Sequence, residues 1–135
     1  MKLLALDGAE ITIEVKPSKY GRKANASQAH CRVGDIINEI YYGQNILEEF
    51  PIPRGRGLKL DFFIPDIMLV IEVDGIQHDK FVKHFHGTIE GFRRAKSNDR
   101  RKRNWCENNG IQIIRIPDSY SEKEIREMIN DTDHM

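Results

Sequence analysis

The sequence predicts an α/β domain with a mixed central sheet, flanking helices and an N-terminal β-hairpin. Short apolar runs bounded by glycine and proline indicate strands, and apolar residues at helical spacing indicate helices between them. In the second half a strand, a long helix and another strand follow one another, which is typical of parallel strands joined by a right-handed crossover. The length of 135 residues fits one domain of ordinary size.

The N-terminal part is expected to be a hairpin followed by a basic loop. Two short apolar runs flank Asp7 and Gly8, a pair that favours a tight turn between strands. Residues 16–25 are polar and carry a run of positive charge, so they predict a loop. We therefore expect residues 1–25 to form the hairpin and the loop, and residues 26–135 to form the main body of a single compact domain.

The remaining elements follow from apolar periodicity and from helix signals. A helix is predicted from Ser27, a good N-cap, to Gly43, with His30 at the margin of its apolar face. Residues 68–71 are continuously apolar, as in a central strand that is buried on both faces. Ser121 begins the signature of a capping box. The other predicted elements are strands at 46–52, 58–64, 68–73 and 111–116, a long helix at 88–109 and a final helix after Ser121.

The composition excludes several classes of protein. No stretch approaches the ~20 apolar residues of a membrane-spanning helix, and the apolar run at the N-terminus is too short for a signal peptide. The two cysteines, Cys31 and Cys106, lie far apart, so they imply no disulfide framework and fit a reducing compartment. We therefore expect a cytoplasmic protein with no membrane partner.

The charges are balanced overall but sorted along the chain. There are 21 basic and 21 acidic residues, which gives a formal net charge of zero. Residues 60–78 carry four acids and no lysine or arginine, whereas residues 79–103 carry nine basic residues against three acids. The tail from residue 104 is acidic again. This sorting suits a site that holds a metal ion beside a phosphate group.

Three acids stand where burial makes a charge expensive. Asp61 lies within one predicted strand and Glu72 near the end of the next. If these strands pair around a turn centred between residues 66 and 67, Asp61 lies opposite Glu72, and two buried carboxylates repel each other unless a cation joins them. Asp74 shares a face with Glu72 because strand side chains alternate. Oxygen ligands of this kind favour Mg²⁺ or Mn²⁺.

The long predicted helix carries seven basic residues among the eleven from 93 to 103. A run of charge is often only a solvated face, but here it directly follows the acid cluster, and contacts with DNA phosphates would explain both features. Asp99 lies on the inward stripe of this helix, where it could orient other groups or neutralise neighbouring cations. The predicted DNA-binding residues are Lys23, Arg93, Lys96, Arg100, Lys102 and Arg103.

Several of these segments together resemble a known family. They are the run Asp61-Phe62-Phe63-Ile64-Pro65, the run Glu72-Val73-Asp74-Gly75-Ile76-Gln77-His78, Asp99 with Arg100, and residues 110–116. The sequence is similar, over about residues 27–116, to the very-short-patch-repair-endonuclease branch of the PD-(D/E)xK nuclease superfamily, which includes phage homing endonucleases. The resemblance implies a restriction-endonuclease-like core and Mg²⁺-dependent, or Mn²⁺-dependent, cleavage of DNA phosphodiesters.

The resemblance also implies roles for individual residues. Asp61 matches the family's metal-binding aspartate and Glu72 the acid of its E-x-K motif, so that these two, with the backbone carbonyl of Val73, would hold the metal. Asp74 stands where the family has lysine. His78 matches a histidine near the scissile phosphate and would transfer protons, so Asp61, Glu72, Asp74 and His78 are the predicted catalytic residues. The supporting candidates are Gln77, Asp99 and His30, the last of which stands where the family's first helix often has glutamate.

The leading interpretation is therefore a magnesium-dependent DNA endonuclease, either selective for junctions, mismatches or nicks, or of the homing type. An alternative is a DNA-binding or junction-binding module that has the nuclease fold without catalysis. A third is a zinc site on His78, His84, His86 and Cys106, although this spacing matches no closed tetrahedral pattern. A homodimer through the hairpin edges is left open, and a phage-encoded enzyme would act in the host cytoplasm.

Overall fold

The computed structural model describes residues 1–75 and 88–133. Within them the chain folds into a two-stranded antiparallel hairpin, a four-stranded mixed sheet and three α-helices, which confirms the predicted α/β class with its N-terminal hairpin. The strands are β1 (Lys2–Leu4), β2 (Glu10–Thr12), β3 (Leu47–Pro51), β4 (Lys59–Ile64), β5 (Leu69–Asp74) and β6 (Gln112–Pro117). The helices are α1 (Gln28–Ile40), α2 (Ile89–Asn108) and α3 (Glu122–Asp133), and short 3-10 turns lie at Pro17–Lys19 and Pro65–Ile67.

The main sheet has the strand order β3-β4-β5-β6. Strand β4 pairs antiparallel with both β3 and β5, whereas β5 and β6 are parallel and are joined through α2. Phe62 pairs with Ile71 and Ile64 with Leu69, so the same register continued by one residue sets Asp61 opposite Glu72. This confirms the strand pairing that the sequence predicts.

Each face of the sheet is covered by its own apolar cluster. Helices α1 and α3 pack on one face, where Ile37 and Ile129 are fully buried. Helix α2 and the hairpin pack on the other face, around Trp105. The indole of Trp105 donates a hydrogen bond to the Leu4 carbonyl over 2.7 Å, and Leu3 lies in the same cluster. This face of the hairpin is therefore used within the chain and is not a free surface for a dimer contact.

The helix ends follow the signals in the sequence. Ser27 and Thr88 cap α1 and α2, and each hydroxyl accepts a hydrogen bond from a backbone N–H in the first turn. Ser121 and Glu124 form a reciprocal capping box before α3, with distances of 3.0 and 3.2 Å. Across the part of the chain that the structure describes, we find no helix with both the length and the apolar character needed to cross a membrane.

Candidate metal centre

The site begins with a break in the side-chain alternation of two paired strands. Leu47 and Phe50 on β3 belong to the same core cluster although they are three residues apart, and so do Leu60 and Phe63 on β4. In a regular strand, residues two apart share a face. Residues three apart that reach the same cluster therefore require an interruption of the alternation within each strand. Glu49 has a φ of 54°, in the left-handed region, and this residue accounts for the interruption on β3.

This irregularity brings two carboxylates together. The pairing of Glu48 with Phe62 and of Phe50 with Leu60 places Glu49 across from Asp61. Glu49 and Asp61 both lie where the side-chain alternation of their strands is interrupted. A left-handed conformation is unfavourable for a residue with a side chain, and such strain is concentrated at functional sites.

Helix α1 adds a histidine to this pair of acids. The backbone N–H of His30 donates to the Ser27 hydroxyl over 3.0 Å, which places the ring in the first turn of the helix. The imidazole is buried and stacks on Phe62 with a centroid distance of 4.4 Å. Gly34 permits this close packing, because a Cβ there would lie 2.3 Å from an Arg22 nitrogen and 3.0 Å from the Phe62 ring.

Glu48 fixes the orientation of the imidazole through its Nε2 atom, on the side of the ring away from Nδ1. The Nε2 atom of His30 lies 2.9 Å from a Glu48 carboxylate oxygen, and the same oxygen accepts a hydrogen bond from Arg22 over 3.1 Å. Arg22 is held in turn by Asp35 at 2.9 Å. With Nε2–H donating to Glu48, the neutral ring presents the lone pair of Nδ1 on its other side. A carboxylate that orients a histidine in this way is the usual outer partner of a metal-binding imidazole.

The free side of the ring faces the two acids. The Nδ1 atom of His30 lies 3.9 Å from an Asp61 oxygen, which is too long for a hydrogen bond. One potential ligand atom from each of His30, Glu49 and Asp61 lies within 4.8 Å of the other two. Ligands bonded to one ion at about 2.1 Å stand roughly 3 to 4.2 Å apart. The three side chains therefore form a nearly closed candidate site for a divalent cation.

The charges around His30 determine its protonation. Burial lowers the pKa of the imidazole, but the hydrogen bond to Glu48 and the negative charge of Asp61 outweigh burial, so the pKa of His30 is raised. Burial also works against ionised Glu48, whereas His30 and Arg22 favour it, so the pKa of Glu48 is lowered. The raised pKa of His30 and the lowered pKa of Glu48 both favour an ion pair between the protonated imidazole and the carboxylate. A cation at Nδ1 would replace the proton that this pair otherwise holds.

The candidate metal centre opens into a cleft of about 470 Å³. The lining includes Lys23 on one side and Val73 and Gly75 at the end of β5. The ammonium of Lys23 lies 4.0 Å from Glu49, and its side chain is half exposed. Lys23 is thus the predicted DNA-binding residue that the structure brings to the cluster.

Glu72 has a different set of partners from Asp61, although the two residues are opposite each other. The Glu72 carboxylate accepts hydrogen bonds from the backbone N–H of Asp61 over 2.6 Å and from the Lys102 ammonium over 2.9 Å. Asp61 in turn accepts a hydrogen bond from the Val73 N–H over 2.8 Å. Burial, together with the charge of Asp61, raises the pKa of Glu72 to about 7 against the opposing effect of Lys102. The assignment of Glu72 to the metal stays a prediction.

Lys102 occupies a different position from the one that we expected. Its side chain is 23% exposed and its ammonium is committed to Glu72, so it is not presented as a surface contact for phosphate. It provides, from helix α2, the cation that pairs with Glu72 on β5. Arg93, Arg100 and Arg103 remain exposed on the same helix, whereas Lys96 is half-buried and lies over the Phe92 ring.

Asp74 and Asp99 converge on an arginine that sequence reasoning missed. Arg115, on β6, lies 3.0 Å from the Asp74 carboxylate and also contacts Asp99, which pairs with Arg103 at 3.0 Å. This group of four residues ties β5, β6 and α2 together. The signal for it was a single cation among the four isoleucines and Gln112 of residues 111–116.

Some predicted residues cannot be placed in this site. Gln77 and the three histidines of the zinc hypothesis, His78, His84 and His86, lie outside the described residues. Cys106, the fourth residue of that hypothesis, is buried in the apolar cluster around Trp105. Burial raises the pKa of its thiol to about 12, so it is a poor source of the thiolate that zinc requires.

Sequence reasoning also missed Glu48 and Glu49. The two consecutive acids interrupt an apolar strand, and because alternation sends neighbouring side chains to opposite faces, at least one of them had to meet the interior. That signal was available. The left-handed backbone that turns both acids towards His30 could not be predicted from the sequence, because it depends on the pairing with β4.

Comparisons with known proteins add relatives without a described activity. The chain is 35% identical over 79 residues to "Uncharacterized protein 307L" of Invertebrate iridescent virus 6, covering 56% of this chain and 39% of that protein. It is 36% identical over 63 residues to "Uncharacterized protein 033L" of Invertebrate iridescent virus 3, covering 47% of this chain and 32% of that protein. It is also 36% identical over 72 residues to "Uncharacterized protein 094L" of Frog virus 3 (isolate Goorha), covering 53% of this chain and 45% of that protein.

The chain therefore spans less than half the length of these relatives. No protein-family model matches it, and no solved structure matches it.

Proposed function

We propose that the protein is a metal-dependent endodeoxyribonuclease with a restriction-endonuclease-like core. The observation that carries the proposal is the cluster of His30, Glu49 and Asp61, which has two carboxylates and an oriented imidazole at the mouth of a cleft. A divalent cation held there would lower the pKa of a bound water and offset negative charge on a phosphodiester.

The donor set favours Mn²⁺ over Mg²⁺. Two carboxylates suit both ions, but an imidazole nitrogen is a ligand that transition metals accept more readily than magnesium does. His30 would supply that nitrogen through Nδ1, and Glu48 would keep the ring in the orientation that presents it. Glu49 and Asp61 would supply the oxygen ligands.

The basic side chains would position the DNA. Lys23 lies beside the cluster, where its ammonium can meet a phosphate next to the cation. The exposed arginines of α2, which are Arg93, Arg100 and Arg103, would contact the sugar-phosphate backbone without reading sequence. His78 remains our candidate for proton transfer, on the ground of the resemblance alone.

The test is nicking of supercoiled plasmid with Mn²⁺ or Mg²⁺. Asp61→Asn should abolish nicking by the folded protein, because the substitution removes a charged ligand and keeps the shape of the side chain. Asp66→Asn is the matched control, since Asp66 is an exposed acid at the turn after β4 and should keep full activity. Nicking by Asp61→Asn at the wild-type rate would refute the proposal.

A DNA-binding module without catalysis is the second candidate function. One observation favours it: an acid, Asp74, stands at the position of the family's lysine and pairs with Arg115 at 3.0 Å, so the family's motif lacks its own cation at this position. Under this alternative the protein binds duplex DNA and binds Mn²⁺, but plasmid stays supercoiled at every metal concentration. The same nicking assay therefore distinguishes the two candidates.

A further inference from the structure

The loop between β3 and β4 presents two arginines from an unusual backbone. Arg54 has a φ of 58° and Arg56 a φ of 53°, both in the left-handed region, and Gly57 follows with a φ of 92°. Gly55 between them allows a tight turn, since a Cβ there would lie 2.8 Å from the Ile52 carbonyl oxygen. Two residues with long side chains held in a left-handed conformation indicate a local shape that the fold imposes at an energetic cost.

The N-terminal hairpin holds this loop in place. The backbone N–H of Leu6 donates to the Pro53 carbonyl over 2.9 Å. Asp7, at the tip of the hairpin, accepts a hydrogen bond from Arg54 over 3.0 Å and another from the Ala9 N–H, also over 3.0 Å. The loop is therefore braced by a second element and does not depend on its own contacts alone.

A third arginine completes a basic cleft. Arg101, from α2, lines an open cleft of about 510 Å³ together with Leu6, Asp7, Arg54 and Arg56. Three guanidinium groups and one carboxylate give this lining a net charge of +2. Asp7 is the partner of Arg54, whereas Arg56 is exposed and the structure gives no carboxylate partner to Arg56 or Arg101 among the described residues.

We infer that this cleft binds phosphates of duplex DNA at a distance from the candidate metal centre. Guanidinium groups match the geometry of phosphate oxygens and are the preferred ligands for them. Arg56 and Asp61 are five residues apart, so their Cα atoms lie at most about 18 Å from each other. One helical turn of DNA is about 34 Å long, so the two places are separated by less than one turn of duplex. The inference rests on the proposed function only in taking DNA as the ligand.

The test is the salt dependence of DNA binding by metal-free protein. Fluorescence anisotropy of a labelled duplex of about 20 base pairs, in EDTA, measures binding without cleavage. Arg56→Gln and Arg101→Gln should each flatten the slope of log K against log salt by about 0.9, the value for one lost phosphate contact. Lys123→Gln is the matched control, since it removes one exposed cation on α3 and should leave the slope unchanged.

Asp7→Asn provides a test in the opposite direction. An amide oxygen can still accept the hydrogen bond from Ala9, but the negative charge in the cleft is lost, so this variant should bind duplex more tightly than wild type does. Slopes for Arg56→Gln and Arg101→Gln equal to that of Lys123→Gln would overturn the inference, as would unchanged binding by Asp7→Asn. Those results would leave nicking by wild type intact, whereas a wild type that binds no duplex would refute the choice of DNA for both proposals.

Discussion

Two groups of acids lie near the end of the same sheet, and the protein neutralises them in different ways. Glu72 and Asp74 are each paired with a fixed cation, Lys102 and Arg115 respectively, at 2.9 and 3.0 Å. Glu49 and Asp61 are half-buried and face a cleft beside His30, and Lys23 is 4.0 Å from Glu49 with a side chain that is half exposed. The difference teaches that acids with built-in cations link separate elements of the fold, whereas acids left facing a cleft are available to an added cation.

The largest expected effect comes from removing a built-in cation. Arg115→Leu leaves Asp74 and Asp99 without their shared partner in a mostly buried position, so we expect the free energy of unfolding to fall by about 3 kcal/mol. Urea denaturation measures this loss. Arg126→Leu is the control, because Arg126 also pairs with two acids, Glu39 and Glu122, but on the surface, where the cost should be at most about 1 kcal/mol. Equal losses of unfolding free energy in Arg115→Leu and Arg126→Leu would show that the Arg115 group stabilises the fold no more than a surface ion pair does.

The next effect concerns the residue behind the candidate metal centre. Glu48→Gln removes the charge that orients His30 without removing any proposed ligand, so Mn²⁺ affinity should fall about 10- to 100-fold. Isothermal titration calorimetry measures the affinity. Glu39→Gln, at an exposed position on α1, should bind Mn²⁺ as wild type does. If Glu48→Gln retains wild-type affinity, the metal does not use the imidazole that Glu48 holds.

A smaller effect should appear in the pH dependence of stability. Because the pKa of Glu72 is raised to about 7, the folded state keeps this proton to a higher pH than the unfolded state does. The stabilising contribution is therefore complete below the ordinary value of 4.5 and is lost as the pH rises through about 7. Glu72→Gln should flatten the fall in unfolding free energy across this range in metal-free protein.

Glu107→Gln is the control for that measurement, since Glu107 is an exposed acid on α2 and should leave the pH profile unchanged. A Glu72→Gln profile as steep as that of wild type would mean that Glu72 ionises normally and that Lys102 neutralises it fully.

The sequence predicted the part of this arrangement that depends on local rules. The turn at Pro65 and the alternation of β4 and β5 were enough to set Asp61 opposite Glu72, and the register confirms it. The N-cap at Ser27 was likewise predicted, because a cap depends on a few neighbouring residues.

The parts that could not be predicted depend on contacts between distant segments. In the sequence, Lys102 is one of seven basic residues in a charged helix and nothing distinguishes it from the others. Only the packing of α2 on the sheet shows that it binds Glu72. The position of Glu49 depends on a left-handed residue within a strand, which no pattern in the sequence indicates. His30 was named as a supporting residue, but its role follows from Glu48, eighteen residues away.

The most direct test of the central claim is pulsed electron paramagnetic resonance of Mn²⁺ bound to the protein. The account predicts a nitrogen coupling from one imidazole in wild type, lost in His30→Gln and retained in Asp74→Asn, whose carboxylate belongs to the Arg115 group. Asp61→Asn and Glu49→Gln should weaken Mn²⁺ binding itself. A nitrogen coupling that persists in His30→Gln, or Mn²⁺ binding that depends on Asp74 and not on Asp61, would contradict the assignment of the metal to this cluster.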